Sequence, residues 1–357
     1  MITVKPPALA RGTGISVVNK WSQIPKTRPL IVQKYVASPH LINQTKYDLR
    51  YVLENYVVCR ISMKLTFFSH VFSYRIYVLL TSLHPLRIYL YDEGLVRFAS
   101  NTYSKDSKSL ADVFTHLTNY SINKNSSTYC PNEDSEKREG HKWTLSALWQ
   151  YFAEQGIDNK PVMDAIKDLV IKTIISAETS MHNLYRHNMA SHYCGYELFG
   201  FDVLLDANLK PWILEVNISP SLHSASPLDL DVKSPLATEV FNLVRYHIPP
   251  AKMSAKSQRE ILDKFNLSEM TSSLCMDKRL YSRQLSGAEK SKHDKFNHTK
   301  SRDEYLESII ASLTPDDVRC LIRAEDELVH ATHFTRIFPT QVRFQPARYC
   351  DKKWEFL

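Results

Sequence analysis

Asp202, Glu215 and Asn217 are the residues whose types and spacing most directly imply chemistry. They lie in Tyr196–Asn217, which reads as two apolar strands joined by a polar turn at Asp206-Ala207-Asn208. Glu215 and Asn217 stand two apart, so on a strand they share a face. An apolar hairpin of this kind is expected to be buried, and unpaired buried carboxylates cost roughly several kcal/mol each. A cation offsets that cost. All-oxygen ligation suits a hard ion, Mg²⁺ above all, which takes few protein ligands and keeps positions for phosphate oxygens. The plainer reading has Asp202 capping a turn and Glu215 pairing with a surface lysine; the hairpin alone leaves both open.

Phosphate-binding chemistry is written nearer the N-terminus. The run Lys5-Pro6-Pro7-Ala8-Leu9-Ala10-Arg11-Gly12-Thr13-Gly14-Ile15 reads as a glycine-containing loop between two strands. Its glycines would let backbone amides approach phosphate oxygens, with Lys5 and Arg11 supplying charge. It has neither the Walker lysine spacing nor the third glycine of a dinucleotide-binding turn. Pro29–Val36 reads as a buried strand ending in polar groups, whose backbone could meet an adenine edge. Lys46, Asp48 and Arg50 alternate along an extended segment and share a face.

The positioning elements follow in order. Strands are expected at Ile76–Thr81, Arg87–Tyr91 and Leu95–Ala99, with turns at 83–85 and 92–94. Phe114–Lys124 is dense in side-chain donors and acceptors. Helices are expected from Trp143 to about Glu154, from Pro161 onward, and at Val240–His247. Thr314-Pro315-Asp316-Asp317 is a capping box ahead of Val318, Leu321, Ile322 and Leu328.

Bulk composition narrows the classes. A chain of 357 residues with 43% hydrophobic and 23% charged content is ordinary for a globular protein with two or three domains. Six scattered cysteines form no CxxC pair and no zinc spacing, which fits reduced thiols. The most apolar window, 61–80, is broken by Lys64, His70 and Arg75, so no membrane span is expected. The net charge of +7 is uneven: residues 251–302 hold 12 Lys/Arg against 6 Asp/Glu, leaving the rest almost neutral. Such a segment suits docking to an acidic surface or serves as a solvated linker.

Taken together, the ordered motifs resemble the tubulin–tyrosine ligase-like family of ATP-grasp amino-acid ligases. The likeness rests on Lys5-Pro6-Pro7 with Ala10-Arg11-Gly12-x-Gly14-Ile15, on Gln33-Lys34-Tyr35-Val36 and on Lys46-Tyr47-Asp48-Leu49-Arg50. It continues through Gly94-Leu95-Val96-Arg97-Phe98-Ala99 and His116-Leu117-Thr118-Asn119-Tyr120-Ser121-x-Asn123-Lys124. Glu197-Leu198-Phe199-Gly200-Phe201-Asp202 and Lys210-Pro211-Trp212-Ile213-Leu214-Glu215-Val216-Asn217-Ile218-Ser219-Pro220-Ser221-Leu222 complete it. The segment 314–339 looks like the glutamylase branch.

The resemblance implies an α/β (α+β) ATP-grasp fold with antiparallel sheets, using ATP and Mg²⁺. By motif, Lys5, Arg11, Gly12, Gln33, Lys34, Tyr35, Val36, Lys46, Asp48, Thr118 and Asn119 would hold ATP, and Asp202, Glu215 and Asn217 the metal. Arg50 and Arg97 would act in catalysis, Arg50 on the transferring phosphate. Arg97, Tyr120, Ser121, Lys142 and Lys233 would receive free L-glutamate, whose two carboxylates suit a pocket of several cations. Arg11 and Ile218 would meet the acceptor tail. An apolar residue at 218, where chain-elongating relatives often carry His, points to initiation. The basic 251–302 segment would grip acidic tubulin tails on microtubules, with no nucleic acid or membrane partner, in a monomer of the cytoplasm and cytoskeleton, cilium or basal body included. That grip should weaken with salt, since screening acts within about 8–10 Å.

The family pattern also departs in two places. The chain opens at the strand carrying Lys5, which is expected to mark a truncated domain whose missing strands leave a sheet edge uncovered. In addition, Lys46-Tyr47-Asp48-Leu49-Arg50 should run directly into Ile76-Tyr77-Val78, yet residues 51–75 intervene. Arg50-Tyr51-Val52 can be encoded with a splice donor and Phe67–Arg75 with an acceptor, and removing the block keeps the frame, so a retained intron or an error in the gene's reading is expected there; the alternative is a genuine surface loop, for which the aromatic, apolar make-up is poor. The expected division is 1–50 (partial central domain), 51–75 (insert), 76–250 (metal and amino-acid sites), 251–302 (basic segment) and 303–357 (helical tail). A catalytically impaired microtubule-binding fragment is the alternative function; a nucleic-acid binder lacks any groove-reading or stacking motif.

Overall fold

The computed structural model describes residues 1–6, 14–27, 29–48, 75–104, 106, 109–188, 195–218, 220, 222–224, 226–244, 285–299, 301, 304 and 313–340. Arg11, Gly12 and Arg50 lie outside them, as do nearly all of the 51–75 block, residues 251–284 and residues 341–357. The chain divides into two units, 1–80 with 89–174 and 197–237, and 81–88 with 175–196 and 238–357.

The first unit is built on antiparallel sheets. β1 (Ile2–Lys5) lies between β2 (Ser16–Val18) and β3 (Ile31–Lys34) in a small three-stranded sheet. A larger sheet contains β4 (Leu41–Ile42), β5 (Thr45–Asp48), β6 (Arg75–Leu83), β7 (Leu86–Thr102), β9 (Glu197–Leu205) and β10 (Pro211–Ile218), in the order β10-β9-β6-β7-β5-β4. β8 (Lys142–Thr144) pairs with β7 beside that path. Val78, Leu79, Tyr89, Leu95, Val96, Ala99, Phe201 and Val203 are buried, so the strands read as apolar because the sheet interior takes their side chains.

β7 continues through Asp92-Glu93-Gly94, where the sequence predicts a turn. The reason is Glu93. Its Oε1 accepts from the backbone of Gly94 at 2.8 Å and of Leu145 at 2.8 Å, and its Oε2 accepts from the Ser146 hydroxyl at 2.5 Å. Glu93 thereby seats the first turn of α3 (Leu145–Glu154), whose N-cap Thr144 accepts from the Ala147 amide. Burial raises the Glu93 carboxyl above the usual range, and these donors oppose the shift. Two short helices, α1 (Val113–His116) and α2 (Tyr120–Asn123), and the long α4 (Lys160–Asn188) follow the chain order. α5 (Pro227–Val244) begins well before the Val240 expected from sequence. Pro227 at its start needs no amide partner, and Pro235 inside it disguises the helical run.

In the second unit, α6 (Gly287–His298) and α7 (Pro315–Val329) precede β11 (Phe334–Phe338). The capping box forms as predicted, with Thr314 Oγ1 accepting from the Asp317 amide and Asp317 Oδ2 accepting from Thr314 N. The apolar residues after it are not the buried face, however. Val318 and Leu321 are exposed, whereas Asp316, Arg323 and Glu327 are buried. Arg87 reaches Glu327 bidentately at 2.9 and 3.1 Å, Arg323 Nε reaches it at 3.3 Å, and Thr81 Oγ1 donates to it at 3.0 Å. Arg323 also donates to the Val244 carbonyl at 3.2 Å. A charge knot, not an apolar stripe, fastens α7. Among the described residues no helix is long and apolar enough to cross a membrane.

Removing Glu327 leaves two buried guanidinium groups without their anion. Glu327→Ala is expected to destabilise the chain by roughly 3–5 kcal/mol, read as a lower urea midpoint, whereas Glu325→Ala on the exposed side of α7 should shift it by less than about 0.5 kcal/mol.

Candidate functional site

A cleft of about 610 Å³, its open mouth included, lies in the first unit. Lys5, Gln33, Lys34, Tyr35, Val36, Lys46, Thr118, Asn119 and Glu215 line it, together with His116, Leu117, Leu204 and Leu214. Every described residue named above for ATP, apart from Asp48, thus reaches one space. Asp48 is in β5 opposite Arg97 on β7, and its side chain lies outside the described set.

The lysine deepest in the cleft is held by a chain of hydrogen bonds. Lys46 is buried, with Nζ 3.2 Å from the His116 carbonyl, 3.4 Å from the Tyr35 hydroxyl and 4.6 Å from that ring's centroid. His116 Nε2 faces the Ser109 carbonyl at 3.0 Å and so carries the proton, which leaves Nδ1 to accept from Tyr35 at 2.8 Å. Burial, with Lys46 close by, lowers the His116 pKa and keeps the imidazole neutral. Sequence reasoning missed His116. Its only signal was its place at the head of the polar run 116–124.

Thr118 and Asn119 follow directly. Asn123 fixes their loop by donating to the Leu117 and Asn119 carbonyls at 2.8 and 3.0 Å while accepting from the Ser100 amide and hydroxyl. Both residues are buried, yet Thr118 Oγ1 and Asn119 Nδ2 have no hydrogen-bond partner. Orphaned polar atoms facing a cleft fit a polar ligand such as a nucleotide, because an unmet buried donor is costly otherwise.

Across the β9–β10 hairpin, Glu215 stands opposite Asp202 and Asn217 opposite Gly200, with a register shift between Ile213 and Glu215. Asp206 closes the turn by accepting from Asn208, Lys210 and the Trp212 indole. The three predicted metal residues come together: Asn217 Nδ2 is 2.8 Å from Asp202 Oδ2 and 3.4 Å from Glu215 Oε1. Lys5 Nζ lies 3.9 Å from Glu215 Oε2 and donates to the Leu214 carbonyl at 3.5 Å. Among the described residues no group of three His, Cys, Asp or Glu side chains is placed to hold a metal. This set has two carboxylates and an amide. Its donors are all hard oxygens once the Asn217 amide turns its oxygen inward, so it fits a hard divalent ion.

Several of the residues predicted to receive the donor lie on neighbouring elements. Arg97 on β7 pairs in register with Lys142 on β8, and its guanidinium carbon is 6.0 Å from the Tyr120 ring centroid. Lys233 sits on α5 and is 1% exposed. Lys142 and Lys233 both contact Asp229 Oδ1, the second at 3.1 Å, and Lys142 donates to Ser226 Oγ at 3.3 Å. Burial lowers the pKa of both lysines: that of Lys142 to about 8, with Asp229 opposing the shift and Arg97 adding to it, and that of Lys233 to about 5. Asp229 escaped sequence reasoning, where it is one acid among several at the start of a helix. Tyr120 and Ile218 are exposed, and the Ser121 side chain lies outside the described set.

Comparison with known proteins identifies the family. The tubulin monoglutamylase TTLL4 of Mus musculus is 43% identical over 98% of this chain, and that of Homo sapiens 42% identical over 98%. The tubulin polyglutamylase ttll-4 of Caenorhabditis elegans is 36% identical over 95% of it. The chain spans 27% of the length of the two mammalian relatives and 49% of the nematode one. The family described as "Tubulin-tyrosine ligase family" matches residues 1–70 and 53–256. On that match, the chain belongs to the tubulin-tyrosine ligase family.

Proposed function

We propose that this chain carries the site of an ATP-grasp ligase that joins glutamate to γ-carboxyls in acidic tubulin tails and starts new branches. The single observation carrying this reading is one cleft that gathers Lys5, Lys46, Thr118, Asn119 and Glu215, with Thr118 and Asn119 presenting unpartnered polar atoms. Its relatives are tubulin glutamylases by name, which supplies the substrate class.

In this reading Lys46 and Lys5 hold phosphate oxygens, while the backbone of residues 33–36 meets the base. Asp202, Glu215 and Asn217 would hold Mg²⁺, which shields phosphate charge during transfer. The acceptor γ-carboxylate attacks the terminal phosphorus of ATP, forming an acyl phosphate and releasing ADP. The amine of the incoming glutamate, having lost a proton, then attacks the acyl carbon and phosphate departs. Arg97, Lys142 and Lys233 place that amine by binding the donor's carboxylates. Ile218, exposed at the end of β10, gives the acceptor an apolar neighbour and no cation for a pre-existing glutamate branch.

Three outcomes test the proposal. Glu215→Gln should lower ADP release with glutamate and tubulin by about 10²-fold or more while the melting temperature holds; retention of more than a tenth of the rate would exclude the metal assignment. With Lys142 near 8, its ammonium loses the proton as pH rises through that value, so the KM for glutamate should climb between pH 7 and 9. Lys142→Arg should flatten the climb, because arginine stays charged. Stability moves the opposite way: the unfolded lysine, with a pKa of about 10.4, binds its proton more tightly, so this group's contribution rises with pH from about 8 to 10.4. Finally, mass spectrometry of a tail peptide should find single glutamates added to plain side chains, with a peptide already bearing a branch glutamate a poor substrate. Faster extension of the branched peptide would reverse the initiation reading.

A further inference from the structure

His116 stands at the end of α1, is buried, and lines the cleft beside Lys46, Thr118 and Asn119. Two of its groups serve the same lysine. Its carbonyl accepts from Lys46 Nζ at 3.2 Å, and its Nδ1 accepts from the Tyr35 hydroxyl, whose oxygen is 3.4 Å from that Nζ. The ammonium also lies 4.6 Å from the Tyr35 ring centroid, so it meets both the oxygen and the face of one phenol. Lys46 engages a further group besides these. The segment after β3, β5 and the end of α1 are thus joined at one ammonium.

The direction of the hydrogen bonds explains why an imidazole is needed there. Burial raises the Tyr35 pKa, so the phenol keeps its one proton. While that proton goes to Nδ1, the oxygen presents lone pairs to Lys46; without such an acceptor it can turn toward the ammonium, donor against donor. The imidazole itself is held in place, with Nε2 on the Ser109 carbonyl at 3.0 Å and the Tyr35 and Tyr103 rings edge-on at 5.6 and 5.8 Å. Tyr103 donates to the Ala37 carbonyl at 3.0 Å. The charged groups that bear on the ring are Lys46 and Asp112, and Asp112 accepts from the Phe114 amide, the Thr115 hydroxyl and the Asn101 amide. Both ring nitrogens of His116 are met within the chain, which suits a group that orients others rather than one that binds a ligand.

We propose that His116 is a positioning residue of the nucleotide cleft: by accepting the Tyr35 hydrogen bond it fixes the hydroxyl which, with the His116 carbonyl, sets the Lys46 ammonium for phosphate oxygens. The side chain acts on the nucleotide through Tyr35 and Lys46 and does not touch it. Loss of the imidazole therefore costs nucleotide affinity only while the Tyr35 hydroxyl is present. This inference rests on the ligase reading above, and its test separates the two.

Binding of a non-hydrolysable ATP analogue with Mg²⁺ would be measured by calorimetry on the full chain, for the wild type, His116→Leu, Tyr35→Phe and the double variant. His116→Leu should weaken the analogue by about tenfold alone and by less than about twofold in the Tyr35→Phe background. His116→Asn, whose side-chain oxygen can take the place of Nδ1, should recover most of the loss. An equal cost in both backgrounds, or no cost in either, overturns the proposal and leaves the ligase reading standing. A wild type that binds no nucleotide overturns both. If His116→Leu does not fold, His116→Gln takes its place, since its amide reaches toward the Ser109 carbonyl and leaves Tyr35 without its acceptor. Weaker binding in His116→Gln than in His116→Asn then supports the positioning role, and equal binding overturns it.

Discussion

The register of one antiparallel pair governs the cleft. Glu215 stands directly opposite Asp202 on β10 and β9, and the next residue on that face, Asn217, stands opposite Gly200. Two carboxylates facing each other across a strand pair repel, and that repulsion grows with burial, Asp202 being wholly buried. A single-residue slip of β10 would turn Glu215 and Asn217 away from the face that Asp202 occupies. The strand therefore shifts register just before Glu215, and the turn is locked by Asp206, which accepts three hydrogen bonds at once. A second tie holds the turn from outside, where the Ala207 amide donates to the Ser38 carbonyl at 2.8 Å and His40 N to Leu205 O at 3.0 Å. Those ties bring the segment that follows β3 to the same hairpin.

Much of this was legible in the sequence because strand alternation is a local rule. The spacing of Glu215 and Asn217 fixes a shared face, and an apolar hairpin carrying acids is conspicuous without any partner in view. The capping box at Thr314 is equally local and formed as read. Long-range pairings were not legible. Lys46 depends on a carbonyl 70 residues away, and Glu327 on an arginine 240 residues away. No periodicity encodes either contact. Nor do the apolar residues of α7 tell which of its faces is buried, since Asp316, Arg323 and Glu327 are the buried ones. Lys142 and Lys233 were placed by family resemblance, and only the folded chain joins them through Asp229.

The division of the chain also differs from its linear reading. β4 and β5 belong to the same sheet as β7 and β9, so residues before 50 and after 76 share a unit. Conversely, the hairpin tip at 81–88 joins the unit of α6 and α7, because Arg87 and Thr81 supply partners to Glu327. Sheet hydrogen bonding and buried charge pairing cut across sequence order, and composition shifts along the chain report neither.

Both charged centres of the first unit follow one electrostatic rule. At the hairpin, Asp202 and Glu215 are tempered by the Asn217 amide and by Lys5. Beside α5, Lys142 and Lys233 are tempered by Asp229. In both places a buried charge meets a partner from another element: Lys5 on β1 reaches Glu215 on β10, and Asp229 on α5 reaches Lys142 on β8. A buried charge is costly unless it is paired, so each centre depends on the fold that brings its partner to it.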